Sequence, residues 1–292
     1  MRAAAIALMI VFSTNCAVLA QSNGLRSSYM RDGLVEHRNS SVTVSANDPR
    51  PLLQAARAAA EEYGWVVDFE DPPYYSKYDT VDTTDPEWRA AHPTEKGTLS
   101  VSGKAFQSRF EEPSSSSADS AEAALTKIVD DYNESGNPGK FSISKESSGR
   151  FVITGRAIRD NTGASRVLNP LLDTLITVPP GTRNGGEAFD LFLQSLSAAA
   201  HVKVTQGSFM TNLLNNSTVT VGGDHVPARS ILASIVSQLN SHYELNWTLH
   251  YDVDSAGYFL SIWPAMIRTG KDAEGNLTFS PLERKTTVPA AR

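Results

Sequence analysis

Apolar positions fall into two spacings along this chain, and their alternation sets its organisation. Four stretches carry apolar side chains three and four residues apart, the mark of a helix with one buried face. They are Leu52, Leu53, Ala56, Ala59, Ala60 and Tyr63; Leu125, Ile128, Val129 and Tyr132; Phe189, Phe192, Leu193 and Leu196; and Ile231, Leu232, Ile235, Val236 and Leu239. Between them lie short runs that alternate apolar and polar residues, as half-buried strands do. These runs are Ser41–Ser45, Trp65–Phe69, Thr98–Ser102 with Phe106–Phe110 as an extension, Phe141–Ser144, Phe151–Thr154, Leu175–Val178, Val202–Thr205, Thr218–Val221, Tyr243–Tyr251 and Tyr258–Trp263.

Punctuation residues agree with these boundaries. Asp48 is placed to cap the first helix, with Pro49 and Pro51 in its first turn, where a missing N–H costs nothing, and Gly64 ends it. Asp119 and Glu122 are spaced as a capping box for the second helix. Gly181-Thr-Arg-Asn-Gly-Gly186 precedes the third helix; it could hold an anion there, but it lacks the lysine and spacing of a phosphate loop, so a turn plus cap is the simpler reading. A polar insertion fills 70–97, and Glu111–Ser117 is a Pro/Ser spacer.

One plan occurs twice. Val42–Val44 corresponds to Ile176–Val178, the Leu52 helix to the Phe189 helix, and the strand after Gly64 to Val202–Thr205. Leu99–Val101 corresponds to Val219–Val221, and the Leu125 helix to the Ile231 helix, each followed by a strand pair. The expectation is an α+β fold: two tandem domains of related strand-helix-strand-strand-helix-strand-strand topology, 41–155 and 172–264, with helices packed on small mixed sheets. Residues 156–171 are expected as a linker and 265–292 as a weakly ordered tail.

This unit resembles the short N-terminal domain of secretins and TonB-dependent transporters. The residues that carry the likeness are Phe189-x-x-Phe-Leu ahead of Val202-Lys-Val204, then Val219-Thr-Val221, then Pro227-x-x-x-Ile-Leu before the closing hairpin. It covers 175–263 and, more loosely, 42–154. The resemblance implies a periplasmic module that touches other proteins without catalysis, although no barrel or channel segment follows within these residues.

The N-terminus supports an exported chain. Met1-Arg2, the apolar run Ala3–Phe12 and Val18-Leu19-Ala20 fit a signal peptide over 1–20, followed by a mobile leader over 21–40. Cys16 is the only cysteine; its flank Ser13-Thr14-Asn15 lacks the approach of a lipidation signal, so the mature chain is expected to have neither disulfide nor thiol chemistry. A formal net charge of -6 disfavours nucleic acid and anionic membranes as partners. No stretch after the signal is long and apolar enough to span a bilayer. The expected location is therefore secreted or periplasmic.

Candidate chemistry is thin. Six histidines, at 37, 92, 201, 225, 242 and 250, show no zinc-ligand spacing, and no metal or cofactor is expected. Asp68, Glu70 and Asp71 cluster beside Pro72-Pro73-Tyr74-Tyr75. That cluster could contact calcium or a sugar, or supply acid and base to a secreted hydrolase. Its plainer reading is a strand end with a solvated acidic turn. The leading functional expectation is a non-catalytic protein–protein interaction or scaffolding module of the bacterial cell envelope; the alternatives are that hydrolase, or a small-ligand or glycan-binding protein. The partner would be another envelope protein, added as a strand at the edge of the second hairpin. Alternation places Leu245, Trp247, Leu249 and Tyr251 on the core side, and Tyr258, opposite in phase to Phe259, is expected outside as a contact residue.

Overall fold

The computed structural model describes residues 33–47, 49–114 and 118–284. The expected signal peptide, Cys16 and the Asp48 cap lie outside the described residues.

In the first half, β1 (Leu34–Arg38) and β2 (Ser41–Ala46) form a hairpin, followed by α1 (Pro51–Tyr63) and β3 (Val67–Glu70). The insertion carries β4 (Thr80–Asp82) and α2 (Pro86–Ala91), and β4 pairs with β5 (Leu99–Val101). β6 (Phe106–Glu111), α3 (Ala118–Glu134), β7 (Lys140–Lys145), β8 (Phe151–Arg159) and β9 (Ser165–Val167) complete this half. The second half runs β10 (Leu175–Asn184), α4 (Gly185–Ala200), β11 (Val204–Phe209), α5 (Thr211–Asn215), β12 (Thr218–Pro227), α6 (Ala228–Gln238), β13 (Leu245–Asp252) and β14 (Gly257–Pro264). A last hairpin joins β15 (Met266–Lys271) to β16 (Leu277–Pro281).

The fold is α+β, and the repeated plan is visible in the pairings. β2 pairs antiparallel with β6, as β10 does with β12. β3 pairs parallel with β8, as β11 does with β14, and each parallel pair is closed by an antiparallel hairpin, β7–β8 or β13–β14. Val67 lies opposite Phe151 and Val204 opposite Tyr258, so these two pairs are equivalents. One expected equivalence changes: the counterpart of Val219–Val221 is β6, because β5 pairs within the insertion instead.

Helix boundaries follow local chemistry. Pro51 opens α1, and Gly64 closes it in the left-handed region at φ 70°; a Cβ at Gly64 would come within 2.9 Å of Ile267. Asn184 caps α4 by accepting from the Gly186 N–H at 2.9 Å, so the glycine-rich turn serves as a cap. Asp119 lies inside α3 rather than ahead of it, and together with Glu122 it meets Lys145.

The two halves share one sheet, in the order β11-β14-β13-β3-β8-β7, with β9 on β8. At its centre β13 runs parallel to β3, with Thr248 opposite Phe69 and Leu249 opposite Glu70. Partners in such a pair point to the same face. Phe69 packs on Phe141 (ring centroids 5.4 Å apart), which meets Tyr132 of α3, and Thr248 receives Arg57 of α1. Glu70 faces the other way and receives Arg229 of α6. α1 and α3 therefore cover one face of the sheet, and α6 lies on the other.

Three stretches expected to be loose carry structure. Residues 34–38 of the leader form β1; the linker holds the end of β8, β9 and a turn at Leu171–Asp173; the tail forms β15 and β16. The tail packs against the end of α1, where Arg268 reaches Glu62 at 2.6 Å. Its apolar residues are too few for a periodic pattern, and Gly64 supplies the space they fill.

Candidate functional site

The acidic cluster is the centre of the molecule. On β3, Asp68 and Glu70 point to one face, and Asp71 follows at the strand end. All three are buried, with 2 % exposure or less. Each is met by an arginine. Arg150 binds Asp68 through Nε at 3.1 Å and through its terminal nitrogen at 2.8 Å to each oxygen. Arg229 donates to Glu70 at 3.0 Å and to Asp173 at 2.7 Å, and Arg50 donates to Asp71 at 2.6 Å.

Every carboxylate also accepts a backbone N–H from beyond the first half: Trp247 to Asp68 at 2.8 Å, Leu172 to Glu70 at 2.9 Å, Tyr251 to Asp71 at 3.1 Å. Arg150 donates to the Leu245 carbonyl at 2.6 Å, and Arg50 to that of Tyr251 at 2.5 Å. β13 is thus held on β3 by ion pairs that bind its backbone. The carboxylates are neither a solvated turn nor open to calcium, sugar or substrate; their oxygens are bound within the junction. A fourth pair, Asp79 with Arg159 at 2.7 Å, ties the insertion to β8. The sequence reading found the acids and missed the arginines. No signal in the sequence marks them, because the need for cations arises only once both faces of β3 are covered.

Burial pushes the Asp68 carboxyl up to about 6, against the pull of Arg150 and the Trp247 amide. The same cause raises Glu70 and Asp71, opposed by Arg229 and Arg50. The sign of the stability effect follows. The folded chain holds protons that the unfolded chain has released, so the contribution from these groups is full below their unfolded values and falls as pH rises through their raised folded values, which for Asp68 is about 6. His37, raised chiefly by its hydrogen bond to Glu112, acts in the same direction. Urea unfolding at pH 5 is therefore expected to give higher stability than at pH 7. For Asp68 alone the ceiling is about 3 kcal/mol, and Asp68→Asn should flatten the profile. A stability that rises steadily from pH 5 to 7 would contradict this account.

A broad concavity adjoins the junction. It is a cleft of about 1110 Å³ walled by both halves: Tyr63, Trp65 and Val66 from the α1–β3 corner, Glu146–Phe151 from the β7–β8 hairpin, Arg229, Ala233 and Ser237 from α6, and Glu244, Trp247 and Leu282–Arg284. Tyr63 and Trp65 stack at 4.8 Å with planes 21° apart. Arg150 and Arg229 line the cleft while bound to Asp68 and Glu70. Glu62 is taken by Arg268 and His37. Glu146, Glu244 and Glu283 form no ion pair with a described residue, and the one lining arginine outside the junction is Arg284. Asp68, Glu70 and Asp71 do not line the cleft.

The expected contact residue is corrected. Tyr258 is buried and Phe259 exposed at 40 %. Asp252 pairs with Gly257 across a four-residue turn, so Tyr258 lies opposite inward-facing Tyr251, their rings 5.0 Å apart. The second hairpin is also not an edge, because β13 lies between β14 and β3, and β14 between β11 and β13. Among the described residues no cluster of His, Cys, Asp or Glu is arranged to hold a metal ion, and no helix is long and apolar enough to cross a membrane. The chain matches no family model, no curated protein and no solved structure.

Proposed function

We propose that this is an exported, non-catalytic binding module of the cell envelope, and that it holds a basic, extended segment of another envelope protein in the cleft between its halves. The observation that carries this reading is the cleft's lining: an aromatic pair, Tyr63 and Trp65, faces a rim on which Glu146, Glu244 and Glu283 form no ion pair with a described residue while Arg150 and Arg229 are neutralised. Carboxylates around exposed aromatic faces favour ammonium or guanidinium groups through charge and cation–π attraction. The acidic groups on which a hydrolase would depend are bound into the junction. The likeness of each half to the secretin and TonB short N-terminal domain supports an envelope setting, as does the signal-like N-terminus.

Ala233 and Ser237 stand one turn apart on the exposed side of α6, facing the cleft. Oligolysine should bind the wild-type protein with a change in tryptophan fluorescence that weakens with salt. Ser237→Trp, which crowds the α6 wall of the cleft, and Glu244→Gln/Glu283→Gln should each lower that affinity at least tenfold. Cross-links to envelope proteins should cluster on α6 and on 146–150. Binding that survives both variants would overturn the assignment, and binding of neutral oligosaccharides instead would favour the glycan alternative.

A further inference from the structure

The shared sheet ends at β11 on one side and β7 on the other. Equivalents of those two strands are already paired inside the chain. β3 is the counterpart of β11, β13 is the counterpart of β7, and parallel pairing of β13 on β3 joins the halves. The junction is head-to-tail, so it leaves the same two complementary edges free at opposite ends of the sheet.

We propose that β7 of one copy of this chain and β11 of a second copy are complementary docking edges, held closed by Asn133 and Ser197. In the first half the groove between α1 and β3 is filled by β13, leaving a slot of about 20 Å³ beside Asn246. Its counterpart between α4 and β11 is open, with about 810 Å³ along Leu193, Gln194, Ser197 and Val204. His201 ends α4 in the left-handed region as Gly64 ends α1, which makes Ser197 the equivalent of Ala60 and Val204 the equivalent of Val67.

That one difference closes the edge. Ser197 Oγ accepts the Val204 N–H at 3.0 Å while its own proton goes to the Leu193 carbonyl at 2.7 Å, with the Val204 carbonyl 3.2 Å away. Ala60 has no hydroxyl to do the same for Val67. At the other end, Asn133 donates to the Phe141 carbonyl at 2.8 Å and accepts the Phe141 N–H at 2.9 Å. Asn133 occupies both groups of an outward-facing backbone pair and Ser197 the N–H of another, groups that an added strand would use. Thr205 stands where Asp68 stands in the first half, and the bulged segment Gly207-Ser208 that follows carries no carboxylate, so the pairing between copies lacks buried ion pairs and is weaker than the internal one. Because the two edges differ, association through them is heterologous and grows into chains or rings.

The test is sedimentation across a concentration series. Wild type is expected to remain monomeric. Ser197→Ala/Asn133→Ala should at least double its weight-average mass over the same range, and adding Gln206→Pro, which removes the next outward N–H by alternation, should restore the monomer. A folded double variant that stays monomeric throughout overturns the proposal, as does association that persists with Gln206→Pro. Should the double variant not fold, Ser197→Ala alone is titrated with a peptide of residues 139–146. One-to-one binding absent from wild type supports the proposal, and no binding overturns it.

Discussion

Replacing Arg150 by Met is expected to cost about 3–5 kcal/mol at pH 7, the usual result of stranding one member of a buried ion pair. The Asp68 side chain is 0 % exposed while that of Arg150 is 16 % exposed, at the cleft. The pair is therefore asymmetric. Without the arginine, a carboxylate that burial already raises to about 6 is left with the Trp247 amide as its remaining partner and must take up a proton to stay buried. Without the carboxylate, in Asp68→Asn, the guanidinium can rehydrate through the cleft, so the loss is smaller. Two outcomes check this. The Arg150→Met loss should shrink markedly between pH 7 and 5 in urea titrations, as Asp68 becomes neutral. Arg150→Met/Asp68→Leu should be more stable than Arg150→Met, because an apolar pair removes the stranded charge. Equal losses at both pH values would mean that Arg150 acts through packing rather than charge.

Tyr258→Lys is expected to lower stability by more than about 3 kcal/mol, since it replaces a core ring with a buried ammonium whose nearby carboxylates, Glu70 and Asp71, are already bound by Arg229 and Arg50. Tyr258 is 4 % exposed and packs edge-on against Tyr251. Phe259→Lys, on the outer face of the same strand, should change stability by less than about 1 kcal/mol. Measured together by chemical unfolding, the two variants report the phase of β14. Equal effects, or the reverse order, would place β14 one residue out of register with β13.

Hairpin phase marks the limit of what alternation can give. The pattern in 258–263 fits a strand with either Tyr258 or Phe259 inward, because both are aromatic and Trp263 shares the phase of Phe259. The tie is broken by the turn: closure of Asp252 on Gly257 fixes Tyr258 opposite Tyr251. The same kind of tie explains the exchange of β5 for β6, since both strands alternate and pairing with β2 decides between them.

The sequence by itself determined the α+β class, the helices with their buried stripes, and the twofold repeat of the unit. All of these depend on periodicity within one segment, which needs no knowledge of the partner. Only the tertiary structure decided what the acidic cluster does. Asp68, Glu70 and Asp71 are adjacent in the chain, but Arg50, Arg150 and Arg229 come from three distant segments, and the amides of Leu172, Trp247 and Tyr251 come from beyond the first half. A carboxylate on a strand end looks the same in sequence whether water or an arginine faces it. The choice is made when β13 docks on β3, because covering both faces of β3 removes the water and leaves buried charge that arginines and backbone amides must satisfy.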